Sequence, residues 1–299
     1  MGRFFERHTI LVMSVSIFFL FACSSSKKSG YPLKKSVAES SLWPGKNDIE
    51  NIVIDMTGLV ELSSRLCSSL SDDEQRDLGY LFSFRALEKA RALTNGHPSG
   101  RIYLLAAKCS WLKADWEKEK EEILKISSTG IEVAEQAVAL NRDPYSYYML
   151  ALNRGLWINN KGYDAIIHMG KFEDAIKNAL PDPDIDMGGP MRVIGLFYVR
   201  APSWPVGPGN LDKALDYLSQ AAEKYPSHPQ NHLFYAEALI KDENYEKASI
   251  ELDETIRLSE EALWGDYADR WRSEAEVFRR KIDQITMKKH ILVDQKDVY

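Results

Sequence analysis

The 299-residue sequence lacks the common signatures of a catalytic site. It contains no G-x-S-x-G nucleophile motif, no H-E-x-x-H zinc motif, no glycine-rich phosphate loop and no cluster of cysteines. These absences weigh against a hydrolase, a metalloprotease or an NTPase, because each of those activities depends on the residues that its motif supplies. We therefore expect a protein that is not an enzyme and that uses no cofactor and no metal.

Long basic segments are also missing. The formal net charge is -6, and lysine and arginine form only short runs such as Lys34-Lys35 and Lys288-Lys289. A nucleic-acid-binding surface needs a concentrated positive field that neutralises phosphates. The sequence therefore argues against nucleic acid as a partner.

An apolar stretch near the N-terminus is too short to cross a bilayer. Residues 10–21 provide about a dozen positions, whereas a membrane-spanning helix needs ~20. Arg3 and Arg7 precede the stretch, and a basic segment, an apolar core and a small-residue site in this order are typical of a signal peptide. We assign residues 1–22 to such a peptide.

The tetrapeptide that follows, Leu20-Phe21-Ala22-Cys23, resembles the bacterial lipobox. In such sequences signal peptidase II cleaves before the cysteine, whose sulfur then carries diacylglycerol. The resemblance implies a lipid anchor at Cys23 in a bacterial cell envelope, with the protein facing the periplasm. Ser24 after the cysteine fits sorting to the outer membrane.

The sequence contains three cysteines. With lipid on Cys23, the other two, Cys67 and Cys109, lie in a compartment that permits disulfides. They form a bond if their helices are neighbours. Two buried small side chains are the alternative, because a sequence does not give the Cα separation that a bond requires.

The rest of the chain divides by composition and periodicity. Residues 23–46 are rich in Ser, Lys, Gly and Pro without periodic apolar residues, which predicts a flexible tether. Residues 47–160 repeat apolar side chains at helical spacing, which predicts N-terminal helical hairpins. Residues 161–284 contain repeats and end in a capping helix. Residues 285–299 form a tail that fits a docked segment, a partner-binding segment or a disordered one.

The repeats have a period of 34 residues, the spacing between Ala214 and Ala248. The matched positions are Leu211, Ala214, Leu218 and Ala221 in one copy and Tyr245, Ala248, Leu252 and Thr255 in the next. A period of this length is typical of tetratricopeptide (TPR) helical hairpins. We therefore predict an all-α fold of about 10–12 helices, in which TPR-like hairpins form a solenoid or helical bundle.

An insertion interrupts the repeat. The interval from Gly195 to Ala214 is 19 positions, whereas the equivalent interval in the next copy is 12. The extra residues fall in a turn, residues 200–209, that contains three prolines and Trp204. Trp204 is a candidate pocket wall or partner contact. The alternative is a plug that folds back over its own hairpin.

Three residues at or before this turn could bind a ligand. Arg192, Tyr198 and Arg200 belong to the predicted helix and its end, and a guanidinium there suits a carboxylate ligand. An arginine that pairs with the local acids Asp184 or Asp186 is the alternative.

The inner helix of the last repeat lacks a carboxylate clamp. TPR domains that bind a C-terminal carboxylate use Lys, Arg or Asn at positions that are Gln230, Leu233 and Glu237 here. A surface lined by Leu233 and Glu237 favours a partly apolar ligand or a protein surface.

His228 and His232 have the spacing of a zinc pair on one helix. A third ligand is lacking, and Pro229 indicates that the helix begins after His228. We interpret these residues as surface histidines near a helix cap.

Residues 182–209 resemble the T-component (TatT) lipoproteins associated with TRAP transporters. The resemblance depends on Gly188-Gly189-Pro190, Arg192, Gly195-Leu196-Phe197-Tyr198 and Arg200-Ala201-Pro202-Ser203-Trp204-Pro205. With the TPR-like residues 172–259, it covers about a third of the chain. It implies an oligomeric, all-helical periplasmic lipoprotein whose hairpins surround a cleft or pore. It also implies a solute-binding P-component as partner and small apolar or carboxylate-bearing ligands.

Two functions follow from these observations. The first is a non-enzymatic, lipid-anchored protein that binds a solute-binding partner, or its small ligand, and assists TRAP-type uptake. Its candidate binding residues are Arg192, Tyr198, Arg200, Trp204, Leu233 and Glu237. The alternative is a TPR scaffold for the assembly of an outer-membrane or secretion complex. A cavity near Trp204 and Arg192 would favour the first function, and an unbroken surface groove would favour the second.

Overall fold

The computed structural model describes residues 56–68, 70–261 and 264–296. The predicted signal peptide, the anchor residue Cys23 and the tether lie outside the described residues. The described part contains eleven α-helices and one 3-10 helix, which confirms the predicted all-α class and TPR-like solenoid. None of its helices combines the length and the apolar composition that crossing a membrane requires.

The bounds of the helices follow the hairpin pattern. In chain order they are α1 (Met56–Leu66), α2 (Asp73–Leu93), α3 (Gly100–Trp116), α4 (Lys120–Asn141), α5 (Pro144–Lys161), α6 (Met169–Ala179), α7 (Gly189–Arg200), α8 (Leu211–Lys224), α9 (Pro229–Lys241), α10 (Tyr245–Leu258) and α11 (Asp266–Lys296). The 3-10 helix, Gly162–His168, joins α5 to α6.

Two helices of the repeat begin with the same capping interaction. Asn210 precedes α8, and its side chain accepts a hydrogen bond from the Lys213 backbone amide at 2.9 Å. Asn244 precedes α10 and accepts one from the Lys247 amide at 3.3 Å. Such a cap satisfies an amide that the first helical turn leaves without a partner. The 34-residue repeat in the sequence therefore corresponds to a helix start that is repeated in the structure.

Four odd-numbered helices, α3, α7, α9 and α11, are linked by packing and by hydrogen bonds. Consecutive helices pack as hairpins, and in addition α3 packs on α5, α7 on α9, and α9 on α11. Side chains of α11 also reach back to α3. We call these four helices the inner layer, because the contacts bring them around one region of the protein.

Small residues set the spacing between neighbouring helices. Ala214 and Ala248 are fully buried, as expected for residues at which two helices approach. Gly195 of α7 faces Leu218 of α8, where an added Cβ would lie 2.5 Å from Leu218 Cγ. A side chain at Gly195 would therefore push α7 and α8 apart.

Cys67 and Cys109 form a disulfide, with their Cα atoms 5.2 Å apart. The sequence leaves open a disulfide or two buried small side chains, and the structure contains the disulfide. Cys67 follows the last residue of α1 and Cys109 lies within α3, so the bond ties the first hairpin to the inner layer. Because it closes a sequence separation of 42 residues, it restricts the unfolded chain and stabilises the fold by about 2–4 kcal/mol.

Helix α11 continues beyond residue 284, the predicted end of the capping helix. It runs to Lys296, so residues 285–296 of the predicted tail are helical. These residues contain no glycine and no proline. Nothing in their composition stops an established helix from propagating.

Replacing Gly195 by alanine should lower the free energy of unfolding by about 1–3 kcal/mol, because the added methyl group overpacks the contact with Leu218. Urea denaturation followed by circular dichroism measures the change. Gly170→Ala is the matched control, since Gly170 lies in α6 and an added Cβ there meets no neighbouring atom within 4 Å. Alanine improves helix propensity at that position. Equal stabilities of the two variants would contradict the close approach of α7 and α8.

Candidate functional site

Arg192, a candidate ligand-binding residue, is engaged in internal contacts. It is 2% exposed and forms an ion pair with Asp186. Its Nη1 atom also donates to Asn231 Oδ1 at 2.7 Å. Asp186 is one of the two local acids that the sequence offers as partners, so local pairing accounts for the position of Arg192. Its guanidinium already binds a carboxylate of its own chain.

This pairing holds a loop with a strained backbone. Asp186, Met187 and Gly188 have left-handed conformations, with φ values of 50°, 47° and 90°. Asp186 and Met187 carry side chains, and residues with a side chain rarely adopt a left-handed conformation. Asn231 Nδ2 donates to the Met187 carbonyl at 3.0 Å, and the Tyr148 hydroxyl donates to Asp186 Oδ2 at 3.1 Å. The loop between α6 and α7 is therefore fixed by residues of α5, α7 and α9.

Arg200 and Glu237 form a two-point ion pair between α7 and α9. Arg200 Nε donates to Glu237 Oε1 at 2.8 Å, and Nη2 donates to Oε2 at 2.7 Å. The guanidinium also lies over the Phe234 ring, 5.7 Å from its centroid. Two parallel hydrogen bonds between charged groups are stronger and more directional than one. Arg200 and Glu237 therefore bind each other. The sequence offers Arg200 as a guanidinium for a carboxylate ligand and Glu237 as part of the surface of the inner repeat helix.

A second ion pair, within electrostatic reach of the first, joins α11 to α3. Arg270 Nη1 donates to Asp115 Oδ2 at 2.8 Å, and the Tyr267 hydroxyl donates to the same oxygen at 3.0 Å. The sequence separations are 155 and 152 residues. Asp115 therefore connects the end of the described chain to its N-terminal half.

Glu274 interacts electrostatically with both ion pairs. Burial raises the pKa of the Glu274 carboxyl, the positive charges of Arg270 and Arg200 lower it, and the negative charges of Glu237 and Asp115 raise it further. Its side chain nevertheless remains 33% exposed, and Arg270 Nε lies 3.9 Å from Oε1. We call Asp115, Arg200, Glu237, Arg270 and Glu274 the inner charge cluster.

Two further candidate residues lie outside this cluster. Tyr198 is buried, and its hydroxyl donates to Glu173 Oε1 at 2.7 Å. Burial and the hydrogen bond to this carboxylate raise the pKa of Tyr198. Leu233 is fully buried in the main hydrophobic core. Among the six candidates, Arg200 and Glu237 meet in the inner charge cluster.

Trp204 lies at the surface, with 86% of its area exposed. The interpretation of Trp204 as a plug over its own hairpin is therefore wrong. The turn around it is closed by a hydrogen bond from the Gly209 amide to the Pro202 carbonyl at 2.8 Å. An added Cβ at Gly209 would lie 2.2 Å from the Ala201 carbonyl oxygen. The turn is compact, and it presents both Trp204 and the half-exposed Val206 to solvent.

His228 and His232 are buried, so the prediction that they lie at the surface is wrong. His228 does cap α9, accepting a hydrogen bond from the Gln230 amide at 3.2 Å, and it packs against two tryptophan rings. Burial lowers the pKa of His228 to about 2. His232 Nδ1 lies 2.7 Å from Glu251 Oε2. Both histidines therefore have structural partners.

Sequence reasoning missed Asp115, Arg270 and Glu274. Arg270 and Glu274 are four apart on α11, a spacing that places them on one helix face. That spacing signals a local ion pair but not a site. The residues near Asp115 in the sequence do not indicate its role, because its hydrogen-bond partners lie more than 150 positions away.

Comparisons with known proteins agree with this architecture. The family model for the tetratricopeptide repeat matches residues 206–262, a range that contains α8, α9 and α10. A search of curated proteins found no match. The match and the helical hairpins support a TPR-type helical repeat protein. Such repeats typically serve as non-enzymatic scaffolds that mediate protein–protein interaction.

Arg200→Ala should destabilise the protein by about 1–3 kcal/mol, because Glu237 would remain partly buried without its charged partner. The double variant Arg200→Met, Glu237→Leu should recover most of the loss, since no unpaired charge remains. Chemical denaturation measures both effects.

The matched control for this pair is Arg280→Ala. Arg280 pairs with Glu276 at 3.8 Å, and both side chains are exposed, so this pair contributes about 0–1 kcal/mol. If Arg200→Ala costs no more than Arg280→Ala, the ion pair between α7 and α9 does not stabilise the inner layer.

Proposed function

We propose that the protein is a lipid-anchored TPR-type scaffold of a bacterial cell envelope, and that it binds a partner protein through the Trp204 turn. The observation that carries the proposal is an aromatic side chain, 86% exposed, on a turn closed by its own hydrogen bonds. Tryptophan is enriched among the residues that dominate binding energy in interfaces. A turn that is already ordered loses little conformational entropy on binding.

Two features support a location in the cell envelope. The N-terminal residues have the order of a signal peptide and end in the lipobox-like sequence at Cys23. The disulfide between Cys67 and Cys109 fits an oxidising compartment. A lipid at Cys23 would hold the scaffold at the membrane surface, with residues 23–46 as the tether.

The first partner to test is the solute-binding component of a TRAP transporter. The resemblance to T-component lipoproteins covers residues 182–209, and this segment contains the Trp204 turn. In this version the scaffold assists uptake without catalysis. A small carboxylate ligand has less support, because Arg192 and Arg200 already bind carboxylates of this chain.

The alternative partner is an envelope-assembly complex. The tetratricopeptide match at residues 206–262 supports a protein partner in general, and the Trp204 turn would serve either complex as a contact. The identity of the protein that meets this turn separates the two versions.

Photo-crosslinking in cells tests the proposal. Benzoylphenylalanine at position 204 of the full-length chain should crosslink to one partner protein. The same group at Ile250, an apolar residue of α10 that is 62% exposed, should not. With the purified partner, Trp204→Ala should weaken binding by roughly 30-fold, the effect of a hot-spot residue that contributes about 2 kcal/mol.

Each crosslinked species has a distinct meaning. A solute-binding protein supports the uptake version, an assembly component supports the scaffold alternative, and a second copy of this chain supports a homo-oligomer that meets at this turn. Equal crosslinking from positions 204 and 250, or unchanged affinity in Trp204→Ala, would overturn the proposal.

A further inference from the structure

We infer that His232 forms a pH-sensitive link, which joins α9 to α10 while its imidazole is protonated and weakens when the ring loses a proton. The inference does not depend on the partner at the Trp204 turn. It rests on the contacts of both ring nitrogens and on the burial of the ring and its carboxylate partner.

Both ring nitrogens of His232 contact acceptor atoms. Nδ1 lies 2.7 Å from Glu251 Oε2, and Nε2 lies 2.8 Å from the Pro226 carbonyl oxygen. A carbonyl and an ionised carboxylate only accept hydrogen bonds, and a neutral imidazole donates from one nitrogen only. Both contacts are therefore hydrogen bonds when the ring carries two protons. The second proton belongs on the ring, because carboxyl groups ordinarily release theirs about two pH units below imidazolium.

The ring and its partner are largely enclosed. The side chains of His232 and Glu251 are 9% and 15% exposed. Burial disfavours the charged ring, whereas its hydrogen bonds to Glu251 and to the Pro226 carbonyl, and the negative charges of Glu251 and Glu254, favour it. Together these effects raise the pKa of His232 above its ordinary value. The imidazolium therefore persists to a higher pH than in a free histidine.

The link connects three parts of the repeat. His232 lies near the start of α9, Pro226 lies in the turn between α8 and α9, and Glu251 lies within α10. All three belong to the segment that matches the tetratricopeptide repeat. Loss of a ring proton leaves a nitrogen lone pair against an acceptor atom, so one of the two hydrogen bonds is lost. The start of α9 is then held less firmly.

Helix α10 supplies the charges that act on His232 most directly. Glu251 is in contact with the ring, and Glu254 adds a second negative charge. Lys247 of the same helix acts on Glu251, and Arg257 pairs with Glu254. Carboxylate, ammonium and guanidinium groups ordinarily titrate outside the range from about pH 6 to about pH 9. They keep their charges while an imidazole titrates.

The other helices that pack on α9 are α7, α8 and α11. Each contributes a cation that pairs with a carboxylate other than Glu251, and Glu223 of α8 acts on Lys247. These pairs are Arg192 with Asp186, Lys224 with Asp184, and Arg270 with Asp115. His228, just before α9, also interacts with His232, but burial lowers the pKa of His228 to about 2. His228 therefore stays neutral where His232 titrates.

The raised pKa of His232 determines the sign of the pH dependence. A group whose pKa is higher in the folded state contributes its full stability below the unfolded pKa, which is about 6.5 for histidine. That stability is lost as the pH rises through the folded pKa. We therefore expect α9 and α10 to be held most firmly in mildly acidic solution and to loosen in alkaline solution.

Nuclear magnetic resonance of the full-length protein tests the protonation state. Imidazole ¹⁵N shifts should show both ring nitrogens of His232 protonated at neutral pH, with a titration midpoint above the ordinary ~6.5. The spectrum of His232→Gln identifies the signals. Glu251→Gln should lower the midpoint by about one pH unit or more, because the amide still accepts a hydrogen bond but carries no charge.

Hydrogen–deuterium exchange tests the effect on the hairpin. Between about pH 6 and about pH 9, after correction for the intrinsic exchange rate, amides of α9 and α10 should lose protection while those of α4 keep it. The difference in melting temperature between the unchanged protein and His232→Gln should shrink over the same range. His97→Gln is the matched control, since His97 is exposed, and it should leave both pH dependences unchanged.

Three results would overturn the inference. They are a His232 midpoint at or below ~6.5, a melting-temperature difference that stays constant or grows with pH, and equal protection of α9 and α10 at both pH values. If Glu251→Gln does not fold, the midpoint in the unchanged protein decides.

Discussion

The Asp115 carboxylate connects two parts of the chain that the sequence keeps far apart. It accepts hydrogen bonds from Tyr267 and Arg270 of α11, while the neighbouring Trp116 ring packs on Tyr267 with centroids 5.0 Å apart. Arg76 of α2 also lies over the Trp116 ring, 4.5 Å from its centroid. Because α11 returns to α3 through these side chains, its charged residues meet those of α7 and α9. The inner charge cluster exists only in this arrangement.

Pairing between helices makes the polar interior stable. A buried charge is costly unless a partner of opposite charge and good geometry satisfies it, and Arg192, Arg200 and Arg270 each have such a partner. Arg192 pairs within its own segment, Arg200 pairs with the next inner helix, and Arg270 pairs across the whole repeat. The Trp204 side chain, in contrast, is exposed, and it carries the proposed function.

The regular part of the fold could be predicted from the sequence because its causes are local. The 34-residue period, the buried Ala214 and Ala248, and the pair of Arg192 with a nearby acid all depend on short spacings. The direction of Trp204 depends on how a short turn is closed, and the partners of Asp115 depend on a return over 155 residues. Neither the direction of Trp204 nor the partners of Asp115 follow from a periodic pattern of residues. The sequence therefore predicts the helical scaffold better than the candidate site.

The arrangement of the inner layer depends on the contact of α11 with α3 through Asp115. Hydrogen–deuterium exchange of Asp115→Ala tests it most directly, since amide exchange reports local opening. The account predicts faster exchange in the first turns of α11 and in the last turns of α3, with α8 and α10 unchanged. Exchange identical to that of the unchanged protein in both α3 and α11 would contradict it.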